Sequence, residues 1–213
     1  MLVLPPTTVV NKVVPKNSFD KYINTKQKKL FSEFIEKIRW ANKLSKQTIR
    51  LEGKDVNEIQ VFEISLKKKT AADDLLNIID RHIPYHIIFV LLFENEVLYS
   101  AAQKHTHPVS DESSVLDWRF SSNWVNQDES LFRLNLKINL DEVFADFCLQ
   151  ITGKEKRQNQ TLSQVIIIEQ NRKLLLYEIN KLEADIKGCK QFNKKVELNL
   201  KLQSKKAELE ILN

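Results

Sequence analysis

The segment from about Leu162 to the end of this 213-residue chain constrains the fold most, because its apolar residues recur in a long helical repeat. One heptad position is occupied by Ile168, Leu175, Leu182, Cys189 and Val196, and the other by Arg172, Ile179, Ile186, Asn193 and Leu200. The phase runs unbroken across Gly188. A continuous helix of about 45 residues, roughly 70 Å long at the usual rise, explains this phase directly. The alternative is an antiparallel hairpin that breaks at Gly188, because glycine commonly ends helices.

An amphipathic helix of this length cannot bury its apolar stripe alone, so it needs its own domain, a hairpin partner or another chain. We therefore expect the segment to act as a coiled coil that oligomerises the chain or docks it to a partner protein. The expected contact residues are Ile168, Leu175, Ile179, Leu182, Ile186, Val196 and Leu200.

The preceding part of the chain predicts an α+β domain over residues 1–153, with helices packed on a largely antiparallel sheet and the coiled coil over 154–213. Three prolines in the first fifteen residues favour an extended N-terminal arm. Apolar spacings of three and four predict a helix from Phe19 to about Leu44. Further patterns predict strands over 48–52, 58–66, 85–93, 96–104, 115–124 and 131–140, and helices over 70–83 and 141–151, with Gly153 as a helix stop.

The net charge of +5 lies entirely in the C-terminal segment. Residues 1–150 hold 20 basic and 20 acidic side chains, and residues 151–213 hold 13 and 8, so that 13 − 8 = +5. The pattern favours a solvated lysine-rich helix face, and attraction to nucleic acid is the alternative. The candidate phosphate-contacting residues are Lys28, Lys29, Lys67, Lys68, Lys69, Lys194 and Lys195.

The four histidines raise the question of a metal site. If Glu94 and Asn95 form a two-residue turn, Phe93 pairs with Glu96, and His86 and His105 lie diagonally on one sheet face. A one-residue change of the turn would place them on opposite faces. Since no HExxH pattern is present, we predict four histidines near strand ends and no bound metal.

Catalytic chemistry finds little support in the sequence. Glu63 and Lys67 suggest a metal-dependent nuclease, but they are four residues apart, and Ser65 stands where a second carboxylate would help. Three glycines provide no phosphate-binding loop, and Cys148 and Cys189 have no CxxC spacing. We predict no catalytic residue and no cofactor. The longest apolar run, residues 86–93, is too short for a membrane helix, and neither end has a secretory signal, so we expect a cytoplasmic protein.

Five stretches spread along the chain resemble a bacterial family known as domain of unknown function 4391. They are "LPPTTVVNKVVPK" at the start, "IRWANKLSKQTI" at 38–49, "EIQVFEISL" at 58–66, "IDRHIPYHIIFVL" at 79–91 and "QFNKKVELN" at 191–199. The resemblance implies an accessory component encoded beside helicases, DNA methyltransferases and restriction-like enzymes in phage-defence loci, and it supplies no catalytic residues. Together with the residue patterns, it favours a non-catalytic interaction protein that forms homo-oligomers or docks to a helicase or methyltransferase, with a nucleic-acid-binding subunit as the alternative. In this resemblance, His86 and Gly188 are departures from the usual family residues. The first argues against a histidine metal site shared by the family, and the second favours the continuous helix.

Overall fold

A mixed sheet forms the centre of the first of two compact units, which comprise residues 1–157 and 158–213. The computed structural model describes residues 2–70, 72–107, 109–153 and 161–212. Its strands are β1 (Val9–Val14), β2 (Ile35–Leu44), β3 (Ile59–Leu66), β4 (His86–Phe93), β5 (Glu96–His107), β6 (Ser110–Ser121) and β7 (Val125–Asn126). The first six are neighbours in chain order, and β7 pairs with β5. Strands β3 and β4 are parallel, whereas the other pairs are antiparallel.

The helices of this unit connect the strands. They are α1 (Thr25–Phe34), α2 (Lys46–Ile49), α3 (Asp73–Arg81) and α4 (Leu140–Ile151), with 3-10 turns at Pro6–Thr8, Lys16–Tyr22 and Gln127–Glu129. Helix α3 is the crossover that the parallel β3–β4 pair requires. It ends shortly before Pro84, which cannot continue a helix. Helix α4 begins after Asn139, whose side chain accepts the backbone N–H of Glu142 at 2.8 Å.

Helices cover both faces of the sheet. Successive side chains of a strand alternate between the two faces, so each strand contributes to both. On one face, Phe62 of β3 and Phe89 of β4 join Phe31 of α1 and Ile79 of α3 in a buried cluster. The opposite face packs on α4, where the His86 ring lies 4.7 Å from the Phe144 ring. The result is the α+β class that the sequence predicts, with helices on both faces of the sheet.

The helix predicted from Phe19 to about Leu44 is wrong in its second half, because α1 ends at Phe34 and β2 follows at once. Buried positions in β2 recur every third residue, at Ile35, Ile38, Ala41 and Leu44. Register shifts between Ile35/Lys37 and Trp40/Asn42 cause this spacing. Each bulge adds a residue and turns the following side chains to the other face, so a bulged strand imitates the spacing of a helix.

Two predicted strands are also wrong. Residues 48–52 contain the end of α2, after which Arg50 adopts a left-handed backbone with φ 59°. Residues 131–139 form no strand, and α4 begins at Leu140. The backbone of Arg133 instead bonds to the Gln150 side chain, with Gln150 Nε2 donating to the Arg133 carbonyl at 3.1 Å. This bond replaces a ladder partner for that backbone group.

The second unit is a helical hairpin of α5 (Leu162–Gly188) and α6 (Phe192–Ile211). The continuous helix that the heptad phase favoured is therefore wrong, and the hairpin breaking at Gly188 is confirmed. Cys189, at the end of α5, has an extended backbone with φ −79° and ψ 121°. The two helices run antiparallel, with Lys205 Nζ 3.2 Å from Glu178 Oε2 and Lys206 Nζ 2.8 Å from Glu183 Oε1.

The less exposed residues of each helix follow a spacing of four and three, which defines the inner seam of the hairpin. On α5 the residues with this spacing are Ile168, Arg172, Leu175, Ile179, Leu182 and Ile186, and Val165 and Ile166 near the start of the helix are also buried. On α6 they are Leu198, Leu202, Lys205 and Leu209, followed by the C-cap residue Leu212. The seam therefore keeps the predicted phase on α5 and takes a new phase on α6.

Candidate functional site

The outward side of α6 carries apolar residues that the hairpin does not cover. Val196, Leu200 and Ile211 are 43%, 62% and 84% exposed, and Ala207 is also exposed. At about 100° per residue, these four side chains fall on the side of α6 opposite the inner seam. We call them the outer stripe. An aligned row of exposed apolar side chains is a candidate contact surface for another chain.

A groove between α5 and α6 continues the apolar surface. It encloses about 410 Å³ and is lined in part by Leu174, Leu175, Ile211 and Leu212. Leu174 is 61% exposed, and Ile211 belongs to both the groove and the outer stripe. The hairpin therefore presents two adjoining apolar regions to its surroundings.

The predicted contact residues of the C-terminal segment divide into two groups. Those in the inner seam are Ile168, Leu175, Ile179, Leu182 and Ile186, and they are used within the hairpin. Val196 and Leu200 lie on the outer stripe. An interface with another chain therefore has Val196 and Leu200 available, while the other five already serve intramolecular packing.

Most of the candidate lysines in the first unit already have partners. Lys28 pairs with Asp20 at 3.0 Å, Lys68 with Glu33 at 2.8 Å and Lys69 with Glu96 at 2.5 Å. Lys67 Nζ donates to the Ser32 carbonyl near the end of α1 at 2.7 Å, and Lys29 is exposed. Because three of these ammonium groups face a carboxylate, they offer less positive potential to a phosphate than the sequence suggests.

The other two candidate lysines, Lys194 and Lys195, lie in the first turn of α6 at the hairpin end that holds the α5–α6 connection. They are exposed. The lysines of α6 that are bridged to glutamates are Lys205 and Lys206, which lie farther along the helix.

The histidines occupy separate environments, although the predicted turn is correct and Phe93 pairs with Glu96. His82 stacks on Tyr22 with ring centroids 3.9 Å apart, and His105 Nδ1 lies 3.0 Å from an Asp117 oxygen. His107 accepts the backbone N–H of Val109 at 3.2 Å. His86 is buried against α4. Within the described residues, no group of three histidine, cysteine or acidic side chains is arranged to hold a metal ion.

His86 has an unusual electrostatic environment. It is 5% exposed, and its Nε2 atom has no hydrogen-bond partner among the described residues. Burial lowers its pKa from 6.5 to about 4, and the nearby Lys104 charge adds to this shift while Asp141 opposes it. The imidazole is therefore neutral at physiological pH, and it packs on the Phe144 ring as an apolar group.

Glu63 and Lys67 are held in unrelated contacts. The Glu63 carboxylate pairs with the Arg39 guanidinium on the neighbouring strand β2, and Arg39 also donates to Asn11 Oδ1 at 3.1 Å. Lys67, as described above, bonds to a carbonyl near the end of α1. The two side chains that suggested a nuclease thus form no common site.

A buried charged cluster is the feature that sequence reasoning missed. Asp80 of α3 is fully buried and contacts both Lys104 of β5 and Arg119 of β6. Lys104 Nζ donates to Asp80 Oδ1 at 3.1 Å, to the Asp80 carbonyl at 2.9 Å and to the Ile83 carbonyl at 2.7 Å. Burial lowers the pKa of Lys104, and the Asp80 carboxylate acts in the opposite direction.

The cluster fastens α3 to the sheet. Arg119 completes it by donating to Asn77 Oδ1 at 3.0 Å and to Ser100 Oγ at 3.2 Å. Because an ammonium group has three donors and Lys104 makes three bonds, no donor of that group is left for a ligand. Lys104 is a charged residue within a buried stretch of β5, and this is the signal that the sequence contains. Its partner Asp80 lies 24 residues earlier in the chain, and Arg119 lies 39 residues after Asp80, so the local sequence does not identify the cluster.

Asp141 fixes the loop before β3 to the start of α4. Its carboxylate accepts the backbone N–H groups of Lys54, Asp55 and Val56 at 2.6, 3.0 and 2.8 Å. Burial raises the pKa of Asp141, but these hydrogen bonds outweigh it and leave the pKa below its ordinary value. The backbone there is tight, because a Cβ on Gly53 would lie 2.3 Å from the Val56 carbonyl oxygen.

Comparison with known proteins gives one match. Residues 2–209 match the family described as Domain of unknown function (DUF4391). No curated protein and no solved structure matches the chain. Among the described residues, no helix has both the length and the apolar character needed to cross a membrane.

Proposed function

Since the chain belongs to the DUF4391 family, for which no activity is described, we propose that it is a non-catalytic accessory protein that assembles with a second copy through the outer stripe of its hairpin. The observation that carries the proposal is the exposure of Val196, Leu200 and Ile211 on one side of α6. The inner seam is used within the hairpin, whereas the outer stripe is exposed. Helix α5 also exposes Ile167, Leu174, Leu176 and Tyr177, but its apolar groups are not aligned with the stripe on α6.

A second copy suits this surface because two α6 helices can pack with their outer stripes against each other. Each copy brings the same apolar stripe, so a twofold axis makes the surface complementary to itself. The groove beside the stripe is flanked by both signs of charge, with Glu178 and Glu208 near Lys205. Lys205 is bridged to Glu178 at 3.2 Å and to Glu208 at 3.0 Å, so these charges are balanced within the chain and do not repel a second copy as a border of one sign would.

The proposed setting is a phage-defence or restriction-like complex that includes a helicase or DNA methyltransferase. This part of the proposal rests on the family resemblance alone.

The test is the solution mass of the full chain by light scattering across a range of concentrations. We expect twice the chain mass for the wild type and a single chain mass for Leu200→Glu, because a buried carboxylate at the centre of the stripe is costly. Lys201→Glu is the matched control, since Lys201 is the exposed neighbour of Leu200 and lies outside the outer stripe. It should remain a dimer.

A wild-type protein that stays monomeric at every concentration would contradict self-assembly. Equal dissociation of both variants would assign the effect to charge and not to the stripe. Circular dichroism of each variant must show unchanged helix content for the mass to be interpreted.

A further inference from the structure

The connection between α5 and α6 forms a basic end of the hairpin, which we call the tip. It comprises residues 187–195, with Lys187 at the end of α5, Lys190 in the connection and Lys194 and Lys195 at the start of α6. No acidic residue lies between Asp185 and Glu197. The tip therefore concentrates four positive charges within nine residues.

The tip lysines differ from the other lysines of the hairpin in their surroundings. Lys205 and Lys206 are bridged across the hairpin to glutamates, whereas none of the four tip ammonium groups forms an ion pair within the described part of the chain. The pKa of Glu183 is lowered chiefly by Lys206, to which it is bridged at 2.8 Å, and only to a smaller extent by the charge of Lys187. All four lysines are exposed.

An aromatic ring stands among these charges. Phe192 is the first residue of α6 and is 80% exposed, so it contributes little to the packing of the hairpin. An exposed ring flanked by lysines is the combination with which proteins bind unpaired bases and the phosphates between them. An acidic peptide would use the lysines equally well but would gain less from the flat ring.

We propose that the tip binds single-stranded nucleic acid, with the lysines contacting phosphates and Phe192 stacking on a base. The proposal goes beyond assembly through the outer stripe and does not depend on it. Within the described part of the chain, the N-cap residue Gln191 makes no side-chain hydrogen bond to the first turn of α6, and N–H groups at a helix start favour a phosphate near Lys194. The lysine runs of the first unit are not needed, because their charges are largely paired.

The experiment is fluorescence anisotropy of the full chain with a labelled single strand of about 16 nucleotides at several salt concentrations. Four phosphate contacts predict a slope of about −3 for the logarithm of affinity against the logarithm of salt concentration. Replacing Lys190 and Lys194 by Gln should reduce the slope to about −1.4 and weaken binding about 25-fold near 0.1 M salt.

The matched control replaces Lys181 and Lys201 by Gln, which removes the same charge from the body of the hairpin. These residues line a second pocket between α5 and α6, separate from the groove described above, and do not belong to the tip. We expect the control to bind as the wild type does. Equal weakening by the two pairs would overturn the tip site, because it would show a response to net charge alone.

Stacking is tested separately with Phe192→Ala and Phe192→Tyr. The alanine variant should bind at least about fivefold more weakly with the same salt slope, and the tyrosine variant should bind as the wild type does. Full binding by Phe192→Ala, together with displacement of the strand by polyglutamate, would overturn the proposal in favour of a site for acidic proteins. So would the absence of any binding at the lowest salt concentration.

Failure of this proposal is distinguishable from failure of the assembly proposal. The tip variants should keep the solution mass of the wild type, and Leu200→Glu should keep the salt slope per chain. A tip variant that changes the mass would show that the tip contributes to assembly and not to an independent binding site.

Discussion

The buried imidazole of His86 predicts that the protein loses stability as the pH falls from about 6.5 to about 4. In the folded chain the pKa of His86 is about 4, whereas in the unfolded chain it returns to 6.5. Between these values the unfolded state binds a proton that the folded state does not bind. Protonation therefore favours unfolding, and the stability contributed by the neutral imidazole is lost as the pH falls.

The size of the effect follows from the two pKa values. One pKa unit corresponds to about 1.4 kcal/mol, so at about pH 4.5 the folded protein has lost about 2.5 kcal/mol relative to about pH 7.5 through this residue. A side chain that is 5% exposed is little screened by solvent, so the full shift is the appropriate basis. The expected loss is a large fraction of the stability of an ordinary domain.

Urea unfolding at both pH values measures the loss in the wild type and in His86→Leu. We expect the loss in the variant to be smaller by about 2.5 kcal/mol, because leucine packs on Phe144 without titrating. His105→Leu is the control, since its ring is exposed beside Asp117. If the unfolding free energy falls equally in the wild type and in His86→Leu, the argument that burial lowers the pKa of His86 is refuted.

Three further predictions concern other parts of the chain. Lys104→Met should reduce the free energy of unfolding by about 3 to 5 kcal/mol in urea titrations, because it leaves part of the buried Asp80 charge uncompensated. A loss below about 1 kcal/mol would contradict the role of Lys104 in holding α3 to the sheet. Ile138→Asn should raise that free energy by about 1 kcal/mol, since Ile138 has φ 65° while 79% exposed; Ile138→Val is the control and should change little. A thiol reagent should label Cys189 in the native chain, whereas Cys148 should react only after unfolding, because burial raises the pKa of its thiol; labelling of both in the native state would contradict this difference.

Local patterns predicted the elements whose pairing is local. The tight turn at Glu94 and Asn95 set the register of β4 and β5, and the apolar alternation of β3 identified the face that packs on α1 and α3. Strand β2 could not be predicted in this way, because its bulges produce a three-residue spacing that is typical of a helix. Recognising a bulge requires knowledge of the neighbouring strand, which the local sequence does not contain.

The C-terminal segment shows a different limit. Helix α6 contains two apolar stripes, one with Leu198 and Leu202 and the other with Val196 and Leu200. The second stripe continues the α5 phase, so the sequence favoured one long helix. The chain reverses at residues 189–191 and uses the first stripe in the seam. Periodicity identifies which stripes exist, but the choice between them depends on tertiary pairing.

The candidate sites were harder to anticipate than the fold. The Asp80, Lys104 and Arg119 cluster joins α3, β5 and β6, and only Lys104, in a buried stretch of β5, stands out in its own segment. Conversely, the lysine runs looked accessible in the sequence, yet Lys68 and Lys69 are paired with Glu33 and Glu96 in the structure. Charge in a sequence is visible, but its neutralisation by distant partners is not.

The parallel pairing of β3 and β4 has a consequence for the order of folding. Ile59 lies beside His86, 27 positions later in the chain, so this contact closes only after α3 has crossed over the sheet. The β4–β5 hairpin needs only a two-residue turn and can form in about 1 to 10 μs. Because closing long loops costs entropy before contacts compensate for it, the β3–β4 contact is expected to form in the rate-limiting transition state. Substitutions in the middle of β3 should then slow refolding, whereas substitutions in the hairpin between α5 and α6 should chiefly alter the rate at which that hairpin opens.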